Sequence, residues 1–322
     1  MIRVGTRIYN KNGTFTDPSF PDFTPIVCLT KSTEYGDLGP YCLKDDKGRY
    51  MENIYQFARL YEEIAETTIR YSRYSQLITW THPKEIHVKD KKITEEYWKW
   101  REKGMKNKYP IRYPAGFNGK NKGMCALKEN DDGTYDILDY IESRKQLYAA
   151  TYCPLVESLP KFKDLKKRLK KGENLLIIEV DGPHQESLDY YKIKYNVGNN
   201  FIENNTILIN KENIQIMLCD DKHSFGHGYC LASSLLGKSN EWIMKCGNEL
   251  IKTVQKVAIN DKKNKKYYTI IKNAIGYCIC SRDVSIHDYE FTNSYAKIPL
   301  ETITLETINE ALNYKKEAKN KK

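Results

Sequence analysis

Leu175-Leu176-Ile177-Ile178-Glu179-Val180-Asp181-Gly182-Pro183-His184 is the stretch on which the fold turns. Four consecutive apolar residues running into a turn signal predict a short strand buried on both faces, because a half-exposed strand would alternate apolar and polar positions. Asp181-Gly182-Pro183 stops it. Glu179 and Asp181 then fall where helix-flanked sheets carry catalytic acids, although the same residues also suit a plain terminating turn. Downstream, Thr206-Ile207-Leu208-Ile209 reads as a second short strand.

Upstream, residues 1–50 read as short strands and turns, with Asn12-Gly13 and Asp46-Lys47-Gly48 as turn signals. Ile54, Phe57, Ala58, Tyr61 and Ile64 or Ala65 recur at spacings of three and four, which predicts a helix over 51–71 with Glu52 in its first turn. Thr94 ahead of Glu95 and Glu96 predicts a capped helix over 94–103. The apolar face of Ile137, Tyr140, Ile141, Leu147 and Tyr148 predicts a helix over 136–152, and helical periodicity returns over 229–257. A strand at 275–281 and a terminal helix at 303–316 complete the reading. The fold class expected is α+β, helix-rich, with one main domain over 1–257 and a basic extension over 258–322 packed on it.

Of 322 residues, 40% are hydrophobic and 25 are Tyr, enough apolar surface to offset chain entropy despite 29% charged residues. No run of about 18 uncharged apolar residues suggests a membrane span and no apolar leader follows Met1, so the expectation is a soluble cytoplasmic protein. Nine Cys without the spacing of a disulfide scaffold fit reduced thiols. The heavy use of Lys, Asn, Ile and Tyr is that of an AT-rich genome, as in viruses, protists and low-GC bacteria. The net charge of +10 is gathered in runs at 161–171, 262–266 and 315–322, which suit DNA or RNA contact and equally suit solvated faces.

Two constellations carry chemistry. The first is Ser32-Thr33-Glu34-Tyr35-Gly36-Asp37-Leu38-Gly39-Pro40-Tyr41 followed by Met51-Glu52-Asn53-Ile54-Tyr55-Gln56-Phe57-Ala58-Arg59. The second is Asp220-Asp221-Lys222-His223-Ser224-Phe225-Gly226-His227-Gly228 running into the apolar segment Tyr229 to Lys238. Together they resemble the NADAR superfamily of N-glycosidases, in which a glycine-containing turn precedes a helix of form Glu-x-x-aromatic-Gln-x-x-basic and a later acidic, glycine-rich turn opens a second helix. Phe225 stands where the family has Trp. The resemblance implies a NADAR-like fold in which residues 72–215 are an insertion. It also implies hydrolysis of an N-glycosidic bond in an ADP-ribose-like nucleotide or ADP-ribosylated nucleic acid, with no cofactor.

The residues by themselves point the same way. Cleaving a C1′–N bond passes through an oxocarbenium-like state, so a site needs a carboxylate to stabilise charge or activate water. Glu52 is the principal candidate and Asp221 the second acid; Glu52 also suits simple complementation of a helix dipole. Phe225, Gly226, His227 and Gly228 precede a helix whose free amide groups could cradle a pyrophosphate, or they form only a turn. Tyr35, Gly36, Asp37, Tyr55, Gln56 and Arg59 complete the candidate substrate contacts, and Arg112, beside Tyr113-Pro114, could clamp a phosphate or form a surface ion pair.

Cys219, His223, His227 and Cys230 have spacings that invite a zinc reading, but they lack paired Cys-x-x-Cys elements and no metal is assigned. His82 and His87 flank Pro83 and read as a surface turn. Walker A, dinucleotide-binding and Gly-x-Ser-x-Gly motifs are missing. An alternative to the enzyme is a non-catalytic nucleotide- or nucleic-acid-binding protein that uses the basic runs and aromatic stacking.

Overall fold

Strand Leu175–Glu179 is one of the two inner strands of a four-stranded sheet. The strands are β1 (Ile2–Thr6), β2 (Thr24–Val27), β3 (Leu175–Glu179) and β4 (Thr206–Leu208), in the order β4-β1-β3-β2. β1 and β2 run parallel to β3, with Ile2 opposite Leu175 and Ile26 opposite Ile177, and β4 is antiparallel to β1. β1 and β3 are buried along their whole length, which is why β3 shows an unbroken apolar run and no alternation. The structure is a computed structural model; it describes residues 1–29, 32, 34–69, 80–90, 92–116, 118–119 and 122–246, and the backbone of three strands within 256–281.

The segment 72–215 is therefore not an insertion beside a finished domain. It supplies β3 and β4, without which β1 and β2 would have no partner in this sheet. A mixed α/β architecture agrees with the α+β expectation at that coarse level.

The helix at Glu52 is much shorter than its periodicity predicts, covering Met51–Phe57. It stops because Arg59–Leu60 is drawn into strand pairing with Cys125 and Ala126. Phe57 packs on Trp80 and Trp100, with ring centroids 4.9 and 4.6 Å away, and lies so close to Gly104 that a Cβ there would sit 2.0 Å from its ring. Glu95–Met105 is helical as expected, and the Thr94 side chain accepts from Tyr97 N–H.

The helix expected over 136–152 is corrected in its first part. Tyr135–Leu138 pairs with Cys125–Glu129 as a strand, and the helix begins only at Tyr140, capped by Asp139. Arg144–Ala149 then forms a wide π-type turn before Ala150–Glu157, whose Pro154 lacks a backbone donor. At the other end, helix His227–Leu235 is buried on all sides and packs against β1 and β3. The expected helix over 229–257 ends there, and Lys256–Asp261, Lys266–Asn273 and Gly276–Ser281 form an antiparallel sheet. The helix expected at 303–316 lies outside the described residues.

Among the described residues, two apolar clusters make up the interior. One surrounds the central sheet, and the other gathers Phe57, Trp80, Tyr97, Trp100 and Leu127; Tyr55 packs against both. His82 and His87 belong to the buried region, at 5% and 0% exposure, so the surface turn expected around Pro83 is corrected. Among the described residues no helix is long and apolar enough to cross a membrane.

Candidate functional site

Beyond the carboxyl end of β3, Asp181 interacts electrostatically with Glu52 of the Met51–Phe57 helix. Glu179 is the last residue of β3, and Asp181 lies two residues beyond it. Glu52 is buried in the first turn of Met51–Phe57, where its N–H reaches Pro40 O. Its Oε1 accepts from Gln56 Nε2 at 2.9 Å, and Tyr41 donates a side-chain hydrogen bond to the carboxylate. Pro40 and Tyr41 are delivered by the turn Gly36–Leu38, held by Tyr152 O–H donating to Leu38 O at 2.7 Å.

Burial pushes the Glu52 pKa up to about 7; the Gln56 hydrogen bond and the Arg112 charge oppose that rise, and Asp181 adds to it. Burial opposes the charge of Arg112, but Tyr41, Tyr113, Asp181 and Glu52 around it outweigh burial and raise its pKa. Tyr41 is pushed well above the ordinary tyrosine range, by burial first and by Glu52 next, and the same two causes raise Tyr148. Glu52, Asp181, Arg112, Tyr41 and Tyr148 thus form one mutually interacting group. A carboxyl group with a pKa near neutral beside a second carboxylate can exchange a proton at physiological pH.

A second buried pair lies next to it. Glu179 faces His227, with 3.3 Å between Oε2 and Nδ1, and His227 Nε2 is 3.1 Å from Cys28 O. Burial opposes the imidazolium, but the Glu179 charge and hydrogen bond outweigh it and raise the His227 pKa. Burial also raises Glu179, with His227 pulling the other way.

Gly228 N–H donates to Glu179 Oε1 at 2.8 Å. A Cβ at Gly226 would lie 2.2 Å from Glu179 Oε2, and one at Gly228 would lie 2.5 Å from Oε1. The glycines admit a carboxylate of the chain itself to the helix N-terminus, which corrects the reading of Gly226 to Gly228 as an open pyrophosphate cradle. Phe225 is core, its ring 5.3 Å from that of Tyr229.

Of the other candidates, Tyr55 stacks edge-on against Tyr148 at 4.9 Å and Gln56 holds Glu52, so both border the Glu52 site. Arg59 lies against Tyr61 and Gly123. Tyr35 turns away, its hydroxyl accepting from Arg168 at 2.7 Å, and Asp37 pairs with Lys161 at 3.1 Å. Asp221 pairs with Lys194 at 2.8 Å, whereas the carboxylate that interacts with Glu52 is Asp181. Tyr41 and Tyr148 carry no signal of their own in the sequence, whereas the strand-end position of Asp181 marks it as a place for a catalytic acid.

Cys219, His223, His227 and Cys230 do not converge: His223 hydrogen-bonds Asp220, His227 faces Glu179, and the free thiols of Cys230 and Cys153 share a hydrogen bond. Among the described residues no group of three or more His, Cys, Asp or Glu could hold a metal. No protein family, curated protein or solved structure matches this chain.

Proposed function

We propose that the chain is an N-glycosidase that hydrolyses the C1′–N bond of an ADP-ribose-like nucleotide or of ADP-ribosylated nucleic acid. The observation that carries this reading is the buried Glu52 carboxyl, its pKa near 7, interacting with Asp181, Arg112 and Tyr41. Departure of the base leaves positive charge on the ribose ring, and a carboxylate pair in a low-dielectric setting stabilises that charge better than water does. Glu52 takes the proton of the attacking water, and Asp181 supplies the second negative charge. Arg112 binds an anionic part of the substrate, and Tyr41 and Tyr148 border the sugar or base. Gln56 Oε1 is buried without a hydrogen-bond partner and is free to accept from a ribose hydroxyl.

The deciding experiment is release of free base from an ADP-ribosylated oligonucleotide, followed by chromatography, for the native chain and for Glu52→Gln. Loss of at least about a hundredfold in turnover with a retained fold supports the proposal; unchanged turnover refutes it.

A second reading, nucleic-acid binding without catalysis, is favoured by helix Pro160–Lys170 and its C-cap, whose Lys163, Lys167, Lys170 and Lys171 are exposed. The runs at 262–265 and 315–322 lie outside the described residues.

A further inference from the structure

Ser187, His223 and Asp220 stand in a chain of hydrogen bonds that the glycosidase reading does not use. Ser187 Oγ is 3.1 Å from His223 Nε2, and His223 Nδ1 is 2.7 Å from Asp220 Oδ2. We propose that these three residues form a second reactive centre, in which Ser187 is a nucleophile toward carboxylic esters.

The tautomer follows from the partners. Burial opposes ionisation of Asp220, but hydrogen bonds from His223, Tyr190 and Tyr191 outweigh it and hold the carboxyl below the ordinary range, so Asp220 is an acceptor. Tyr191 O–H donates to the same Oδ2 at 2.6 Å. Nδ1 therefore carries the proton toward Asp220, and Nε2 offers its lone pair to the Ser187 hydroxyl. An imidazole held in that orientation stands where the base of a serine nucleophile must stand.

One further observation separates this arrangement from ordinary surface bonding, while Ser187 itself ends the helical turn Gln185–Ser187 and aims its hydroxyl at the imidazole. The base loop is fixed from behind. The buried Arg144 guanidinium donates to the backbone oxygens of Leu218, Asp220 and His223, which locks the loop that carries both Asp220 and His223. Ser187 is half-buried and His223 keeps 15% of its side chain exposed, so an ester can reach them.

In the step, Ser187 Oγ bonds to the carbonyl carbon while its proton passes to His223 Nε2. The ester C–O bond breaks and the alkoxide takes that proton, leaving as the alcohol. Water then attacks the acyl-serine with its proton moving to His223 and back to Ser187, which releases the carboxylic acid. This centre is independent of Glu52, so its failure leaves the glycosidase reading untouched.

The test is reaction of the full chain with a fluorophosphonate probe, which traps activated serines, followed by mapping of the adduct by mass spectrometry, beside hydrolysis of p-nitrophenyl acetate. The expected result is stoichiometric labelling at Ser187, lost in Ser187→Ala and slowed at least about a hundredfold in His223→Gln, with Glu52-dependent base release unchanged in Ser187→Ala. The native chain needs no variant to fail: no adduct, or an adduct on Tyr190, Tyr191 or the exposed Ser224, overturns the proposal. Labelling of Ser187 at an equal rate in a folded His223→Gln protein overturns it as well.

Discussion

Gly228 N–H donates to Glu179 Oε1 across 49 residues of sequence, at 2.8 Å, so the helix that begins at His227 is closed at its N-terminus by a carboxylate of its own chain. A negative charge at that end satisfies an amide that has no partner within the helix and complements the helix dipole. His227 Nδ1, one residue before, lies 3.3 Å from the other carboxylate oxygen, Glu179 Oε2.

Gly228→Ala is therefore expected to destabilise the protein. The new Cβ would lie 2.5 Å from Glu179 Oε1 and must expel it. Overpacking together with a lost charge-assisted hydrogen bond amounts to about 3 kcal/mol. Urea unfolding reads the loss, while titration of the remaining folded protein with ADP-ribose reads its affinity. A stable variant that no longer binds would restore the phosphate-cradle reading.

Glu52→Gln is expected to stabilise the protein at alkaline pH while abolishing base release. The folded pKa of Glu52 is raised, from 4.5 to about 7, so the folded state binds the proton more tightly than the unfolded state. That contribution is complete below about pH 4.5 and is lost as pH rises through about 7. The ionised carboxylate then costs on the order of 3 kcal/mol, which the amide avoids. Melting temperatures of the two proteins should coincide near pH 4.5 and diverge toward pH 8; a constant offset at all pH values would show that Glu52 does not titrate as described.

Asp181→Asn and Asp221→Asn separate the two candidate second acids. Asp181 interacts with Glu52 and Arg112, whereas Asp221 pairs with Lys194. Turnover should fall at least about a hundredfold in the first and stay within about twofold in the second. Steady-state kinetics on one substrate decides, and the reverse order would return the role to Asp221.

Replacing Lys163, Lys167, Lys170 and Lys171 by Ala is expected to lower the salt dependence of nucleic-acid binding. If all four meet phosphates, the slope of log affinity against log salt becomes shallower by about 3 to 4. Fluorescence anisotropy with a labelled oligonucleotide between about 50 and 200 mM salt measures it. An unaltered slope would exclude this helix as the contact.

Local sequence was sufficient wherever a short segment contained its own determinants. Leu175–Glu179 was legible as a buried strand because its apolar run stops at an Asp-Gly-Pro turn, and the helix at Glu95 because Thr94 supplies the cap. The same local rules placed Glu52 in a first helical turn. They failed where a distant strand competed for the backbone: Arg59–Leu60 and Tyr135–Leu138 carry helical periodicity, yet both pair with Cys125–Glu129. The pattern records which positions are apolar, and it does not record which backbone will be available to pair with them. Only the tertiary structure decided that Asp181 and not Asp221 meets Glu52, that Arg112 and Tyr41 join them, and that the glycines at 226 and 228 make room for Glu179. Those partners lie far apart along the chain, and their charges interact only because the folded chain holds Asp181, beyond the carboxyl end of β3, within electrostatic reach of Glu52.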